Sequence, residues 1–232
     1  VDPHGVVRGL AERLSADGGK FAWREVTGFD IVENTVRAIQ SGECYWAIDH
    51  VVLAPGAEAA GLTGQLGAVV PLTRERGYHL MLQPAALDLT VPVTFAERGF
   101  VMTPMNAGIR LAGTVELGAG AAPDWRRAEI LARHARRLFG RPDLAAASRW
   151  HGDRPTLPDY LPMIGPSPRA SNAVLALGHQ HLGLTLAAIT GALVADLIAG
   201  RPPAVPLAPF RTDRFGIIKT GRVEPFTLPA EG

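Results

Sequence analysis

The chain has a single cysteine, Cys44. That excludes an internal disulfide framework and a cysteine-built zinc site. It also has almost no excess charge: 23 Lys and Arg against 22 Asp and Glu leave a formal net charge of +1. A chain so balanced has no basic field to gather nucleic acid and no acidic tail to repel it. Long hydrophobic runs are missing as well. The longest uncharged apolar stretch runs from Leu182 to Ala195 and stops at Asp196, short of the roughly 20 residues a bilayer span needs. It reads as a buried helix. What is present is ample core material, since 47% of the 232 residues are apolar, enough for one domain or two small ones. The 26 glycines and 19 prolines are spread along the chain and predict many turns rather than disorder.

Val1 is followed by Asp2-Pro3, an N-cap and first-turn pair, and an opening inside a helix cap is expected of a piece of a longer polypeptide. Residues 3–17 place Val6, Val7, Leu10, Ala11 and Leu14 on one stripe and end at Gly18-Gly19, the pattern of an amphipathic helix. Short β-type runs follow at 21–26 (FAWREV), 29–33, 36–40 and 44–48, and VVLAPG at 51–56 reads as a buried strand ending in a glycine turn. A short helix is expected at 57–66, then strands at 69–82, 91–95, 100–103 and 109–116. Residues 123–139 form a second amphipathic pattern closed by Gly140. The proline- and glycine-rich stretch 150–165 reads as a long ordered loop. After it come a buried strand at 173–177, a turn at 178–183, an apolar helix at 184–199, and a proline-punctuated tail over 202–232.

Three places could hold chemistry. The first is the strand–turn–helix at 173–199, where the positive end of an almost uncharged helix would face an anionic or electron-rich group. Gly178 and Gly183 by themselves are better explained by a tight turn alone. The second is HGDRP at 151–155. The planar fork of Arg154 suits a bidentate carboxylate, although pairing with Asp153 or Asp159 is a purely structural alternative. The third is His179 with His181, which would share one face of a strand and could bind a metal. No further ligand stands at a telling spacing. Ser167 and Ser171 lack the surroundings of a hydrolase nucleophile, and Cys44, in a strand-like run, reads as buried filler rather than a nucleophile.

WHGDRPTLPDYLPMIG (150–165) followed by ALGHQHLGLTLAAITGALVADLI (176–198) resembles the C-terminal signature of the FAD-dependent D-amino-acid oxidase and dehydrogenase superfamily. VPLTRERGYHLML (70–82), MTPMNAGIRLAGTVELG (102–118) and PFRTDRF (209–215) are similar to the D-amino-acid and D-hydroxyproline dehydrogenase branch, and glycine and sarcosine oxidases are further relatives. The resemblance covers residues 1 to about 215. It implies an α/β fold: a partial FAD-binding domain of the glutathione-reductase type with an interleaved mixed-sheet substrate domain. Residues 1–61 and 150–232 would belong to the former and 62–149 to the latter.

The same resemblance implies FAD as cofactor and oxidation of a D-amino acid or cyclic imino acid by hydride transfer to flavin N5. Arg154 would hold the substrate carboxylate, with Tyr78 as pocket wall and His181 beside the flavin. Gly152, Gly178, His179, Leu182, Gly183, Leu184 and Thr185 would contact the flavin, with Val26 near the adenine and Gly56 close by. Electrons would pass to oxygen or to a quinone or other respiratory carrier. The setting would be cytoplasmic or peripheral at the inner membrane, since several relatives pass electrons to a respiratory chain. The pyrophosphate-binding G-x-G-x-x-G of the family does not occur in this chain, so an N-terminal FAD-binding segment is expected elsewhere. A non-catalytic binding or assembly module on the same fold, lacking the nucleotide half, is the alternative from a different class.

Overall fold

The computed structural model describes residues 2–84, 86–118, 120, 122–219 and 222–224. The carboxylate of Asp2 accepts from the backbone N–H of His4 at 3.1 Å and, with Pro3 in the first turn, starts helix α1 (Pro3–Ala16). This is the cap that the sequence announces. The expected stripe is there, but Val7, Leu10 and Leu14 remain exposed.

Strands β1 (Gly28–Val32), β2 (Thr35–Ser41) and β3 (Cys44–Ala47) make an antiparallel meander. Its first turn is the two-residue link Glu33-Asn34, both with positive φ (48° and 60°), the geometry that matches strand twist in a tight hairpin. FAWREV does not extend this sheet. Residues 21–27 lie outside any strand, and Trp23 is 96% exposed; β propensity without a pairing neighbour does not make a strand.

Strand β4 (Val51–Leu53) and helix α2 (Ala60–Gln65) come next, then β5 (Thr73–Leu82), β6 (Val93–Phe95), β7 (Phe100–Met105) and β8 (Gly108–Leu117). Helix α3 (Arg126–Phe139) ends on Gly140 in the left-handed region, as a C-cap glycine does. The stretch expected as a long loop contains β9 (Ala146–Thr156) and β10 (Met163–Pro166) instead. β9 is the edge strand of its sheet, where Pro155 costs no ladder bond, so proline and glycine misled the sequence reading. β11 (Ala173–Leu177), α4 (Gly183–Ile198), β12 (Ile217–Lys219) and β13 (Arg222–Glu224) complete the order.

The chain divides into two compact units, residues 1–20 with 74–153 and residues 21–73 with 154–232. The boundaries between these units fall after residues 20, 73 and 153, and α1 groups with the sheet of the first unit. That sheet has the order β6-β7-β8-β5-β9. Its core joins Tyr78, Leu80 and Leu82 of β5 and Phe100, Met102, Ile109 and Leu111 to Leu131 and the small residues of α3. One face is therefore helix-covered, and burying Leu131 alone contributes about 2 kcal/mol.

In the second unit the sheet order is β10-β11-β4, with β11 parallel to β4 and antiparallel to β10. All five residues of β11 are buried, Leu175 and Leu177 against Leu53, Leu157 and Met163, and Val174 and Ala176 against Leu193 and Val194 of α4. Burial on both faces explains its unbroken apolar run. Asn172 fastens the meander to this sheet. Its side chain accepts from Val36 N (2.9 Å) and donates to Val36 O (2.8 Å) and Asp49 O (2.7 Å).

Candidate functional site

Because β4 and β11 are parallel neighbours, with Leu53 opposite Leu175, the loops that follow them leave from the same end of the sheet. This is the end at which open α/β sheets bind ligands. After β4 comes Gly56, held at φ +63°. After β11 comes Gly178 at φ +78°, where an added Cβ would lie 2.4 Å from Leu157 Cδ1. Both the conformation and the space at 178 thus require glycine.

The turn then lies alongside residues 155–156 of the same unit. The N–H of Gln180 donates to Pro155 O (3.2 Å), and Thr156 and His179 form an antiparallel bridge. Arg154, next to Pro155, is therefore tied by its own backbone to the 178–183 turn. Its side chain is half-buried. Both carboxylates that could have neutralised it are taken: Asp153 by Arg76 and Asp159 by Arg214. Among the described residues Arg154 is left with no ion-pair partner.

Helix α4 begins at this turn with Leu182 as N-cap, no capping side chain and no acidic residue in its first turn. The N–H groups that open a helix have no intrahelical acceptor, and the dipole makes that end positive. Around it His181, Leu182, Leu184 and Thr185 are exposed and Gly183 is half-buried. Gln180, at φ +52°, keeps its Nε2 buried with no hydrogen-bond partner. His179 turns inward: its Nε2 lies 3.0 Å from Thr190 Oγ1 of α4, and burial lowers its pKa, so the ring is held neutral. Among the described residues it joins no cluster of three metal-ligating side chains.

In the same unit, a cleft of about 860 Å³ opens between the meander and β4, lined by Val26, Phe29, Leu53, Pro55, Glu58 and Leu62. Val26 is thus on its wall. Gly152 lies on β9 within the first unit and is open to substitution by nothing larger, since a Cβ there would meet the Trp150 ring at 2.1 Å. Tyr78 is placed otherwise than as a pocket wall. It is 2% exposed in the core beneath α3, donates its hydroxyl to Glu116 and accepts from Asp124 N. Burial, reinforced by the Glu116 contact, raises its pKa. The even-numbered positions of β5 face the helix, which a one-sequence reading of an alternating strand does not decide.

Two features of the site escaped the sequence reading. Gln180 gave no signal, because its left-handed backbone shows only in three dimensions. Thr190, one of two threonines in an apolar helix, was a visible sign of a buried polar partner.

The family model described as DAO, FAD dependent oxidoreductase, matches residues 1–197. The chain belongs to this family. A D-amino-acid oxidase of Bradyrhizobium diazoefficiens is 40% identical over 219 residues, 92% of this chain and 52% of the relative. A D-amino acid dehydrogenase of Paramagnetospirillum magneticum is 33% identical, again over 92% of this chain and 52% of the relative. The chain therefore spans about half the length of the curated relatives it matches. Among solved structures, glycine oxidase from Geobacillus kaustophilus superposes with a TM-score of 0.78 at 27% identity, covering 88% of this chain and 56% of that one. L-proline dehydrogenase from P. horikoshii gives the same TM-score of 0.78 at 21% identity over 93% of this chain and 60% of that one, a likeness of fold.

FAD is the cofactor of this DAO family, and the residues present fit part of it. The uncapped start of α4, the Gly178 turn and the unpartnered Gln180 amide offer donors to the electron-rich end of a flavin ring, as a helix N-terminus does for anionic groups. The chain carries no G-x-G-x-x-G for the pyrophosphate. No described helix is long and apolar enough to cross a membrane.

Proposed function

We propose that the chain is part of an FAD-dependent oxidoreductase that oxidises the amine of a D-amino acid or a cyclic imino acid of the proline type. The observation that carries this reading is Arg154. It is a half-buried guanidinium without a carboxylate partner among the described residues, fastened through Pro155 to the turn that opens α4. A planar fork left unneutralised beside a helix N-terminus suits an α-carboxylate.

On this reading the unit of residues 21–73 and 154–232 belongs to the FAD-binding domain and the five-stranded sheet to the substrate domain. Arg154 binds the substrate carboxylate and so fixes the direction in which Cα faces. His181 and the backbone amides of Gly183, Leu184 and Thr185 cradle the pyrimidine end of the ring. The open N-terminus of α4 would favour negative charge at that end of the ring. Val26 and Gly56 border the space for the rest of the cofactor. FAD, when bound, supplies the two-electron acceptor that takes the Cα hydrogen as hydride at N5. The substrate amine enters neutral, and no side chain of this chain is needed as general base. The pyrophosphate-binding segment and the electron acceptor, oxygen or a quinone-type carrier, lie outside these residues.

The test uses the flavin-loaded whole protein and a panel of D-amino acids under anaerobic conditions. Wild type bleaches its flavin absorbance. Arg154→Gln loses about 2–5 kcal/mol of substrate or transition-state binding, read as kcat/KM. Equal turnover by the variant removes Arg154 from the site.

A further inference from the structure

We infer that Asp153 is a positioning residue: its bidentate pair with Arg76 sets the place of the backbone from which Arg154 projects, and thereby how tightly a carboxylate is held. This rests on the reading of Arg154 given above. Successive residues of a strand face opposite sides, so Asp153 and Arg154 point away from each other and Asp153 touches no ligand of Arg154.

The pair is built for geometry. Arg76 Nε donates to Oδ1 at 2.7 Å and Nη2 to Oδ2 at 3.1 Å. Two parallel bonds fix orientation in a way that one point charge does not. The Arg76 side chain is 2% exposed and that of Asp153 16%. Arg74 Nη1 stands 3.6 Å from Oδ2. The Arg76 guanidinium holds the Asp153 carboxyl below the usual range against the opposing effect of burial, so the carboxylate is charged wherever the protein is folded at neutral pH.

The other face of β9 is gripped as well. The Trp150 ring lies across Gly152 and stacks on His79, centroids 5.0 Å apart and planes 22° from parallel. Strand β5 thus holds residues 150–153 from both sides, through Arg76 on one face and His79 on the other.

The fold gives a reason for such a clamp. β9 is an edge strand of its sheet, bridged at Thr156 by His179, and Gly152 and Pro155 weaken its ladder. A buried ion pair contributes little net stability over apolar residues of the same shape. Its worth here lies in fixing where the next residue starts.

The experiment measures binding of D-proline and of D-prolinamide to the flavin-loaded whole protein by perturbation of the flavin spectrum, with oxygen excluded. The variants are Asp153→Asn, Arg76→Lys and the hydrogen-bonded neutral pair Arg76→Gln/Asp153→Asn, which keeps shape if a single change prevents folding. The expected result is a loss of D-proline affinity of about tenfold or more in each, with prolinamide affinity and the unliganded flavin spectrum unchanged. The limiting rate of bleaching at saturation also stays within about threefold of wild type. A lowered Tm with an unchanged proline-to-prolinamide ratio overturns the inference and leaves a structural pair. If Arg154→Gln also leaves that ratio unchanged, the reading of Arg154 itself has failed. If Arg154→Gln abolishes the ratio and Asp153→Asn does not, only the clamp is wrong.

Discussion

Replacing Gly178 by alanine should be among the most damaging single-methyl changes in this protein, and the structure separates the damage into two parts. The first is conformational: φ is +78°, and a residue with a Cβ loses roughly 1–2 kcal/mol in the left-handed region. The second is steric. The new methyl would lie 2.4 Å from Leu157 Cδ1 and 3.0 Å from its Cγ, and Leu157 is fully buried, packed among Met163, Leu175 and Leu177. Overpacking of this kind costs about 1–3 kcal/mol. The sum, about 2–5 kcal/mol, is measurable as a lowered midpoint of urea unfolding at unchanged slope. A double-mutant cycle tells the parts apart. In a Leu157→Ala background the steric part disappears, and Gly178→Ala should then cost only the conformational roughly 1–2 kcal/mol. Equal penalties in the two backgrounds, or a total below about 0.5 kcal/mol, would refute the account of why this turn needs glycine.

Asn172→Leu should destabilise by about 3 kcal/mol, because it strands the buried N–H and C=O of Val36 and the C=O of Asp49, each costing about 1–3 kcal/mol unpaired; chemical unfolding measures it. Gly152→Ala should push the Trp150 ring off His79, and a near-UV circular dichroism spectrum unchanged from wild type would contradict the contact at 2.1 Å. Burial lowers the pKa of His179, so unfolding takes up a proton at acid pH. The stability this histidine contributes is complete above its ordinary range and is lost as pH falls through its lowered folded value. Between about pH 7.5 and about pH 5.5 the urea midpoint of wild type should therefore drop more than that of His179→Asn; parallel curves would show that His179 is not held neutral.

The local signals in the sequence were sufficient wherever one segment decides its own structure. Asp2-Pro3 started α1, Gly140 ended α3, and the unbroken apolar runs at 51–53 and 173–177 became the parallel pair β4 and β11. The paired motifs at 150–165 and 176–198 likewise pointed to the family that the comparisons show. What the sequence could not decide was which partner each group meets. The stretch 150–165 looked like a loop because glycine and proline disfavour strands in general; β9 exists because it lies on an edge where those residues are tolerated. FAWREV had strand composition and no neighbour to pair with. Tyr78 went beneath α3 because the helix covers that side of β5. Arg154 had two nearby carboxylates in sequence and kept neither, since Arg76 and Arg214, 77 and 55 positions from the acids they bind, claimed them first. Residue types set the available chemistry, whereas the pairing of charges and faces is a long-range property that arises only when distant strands pack side by side.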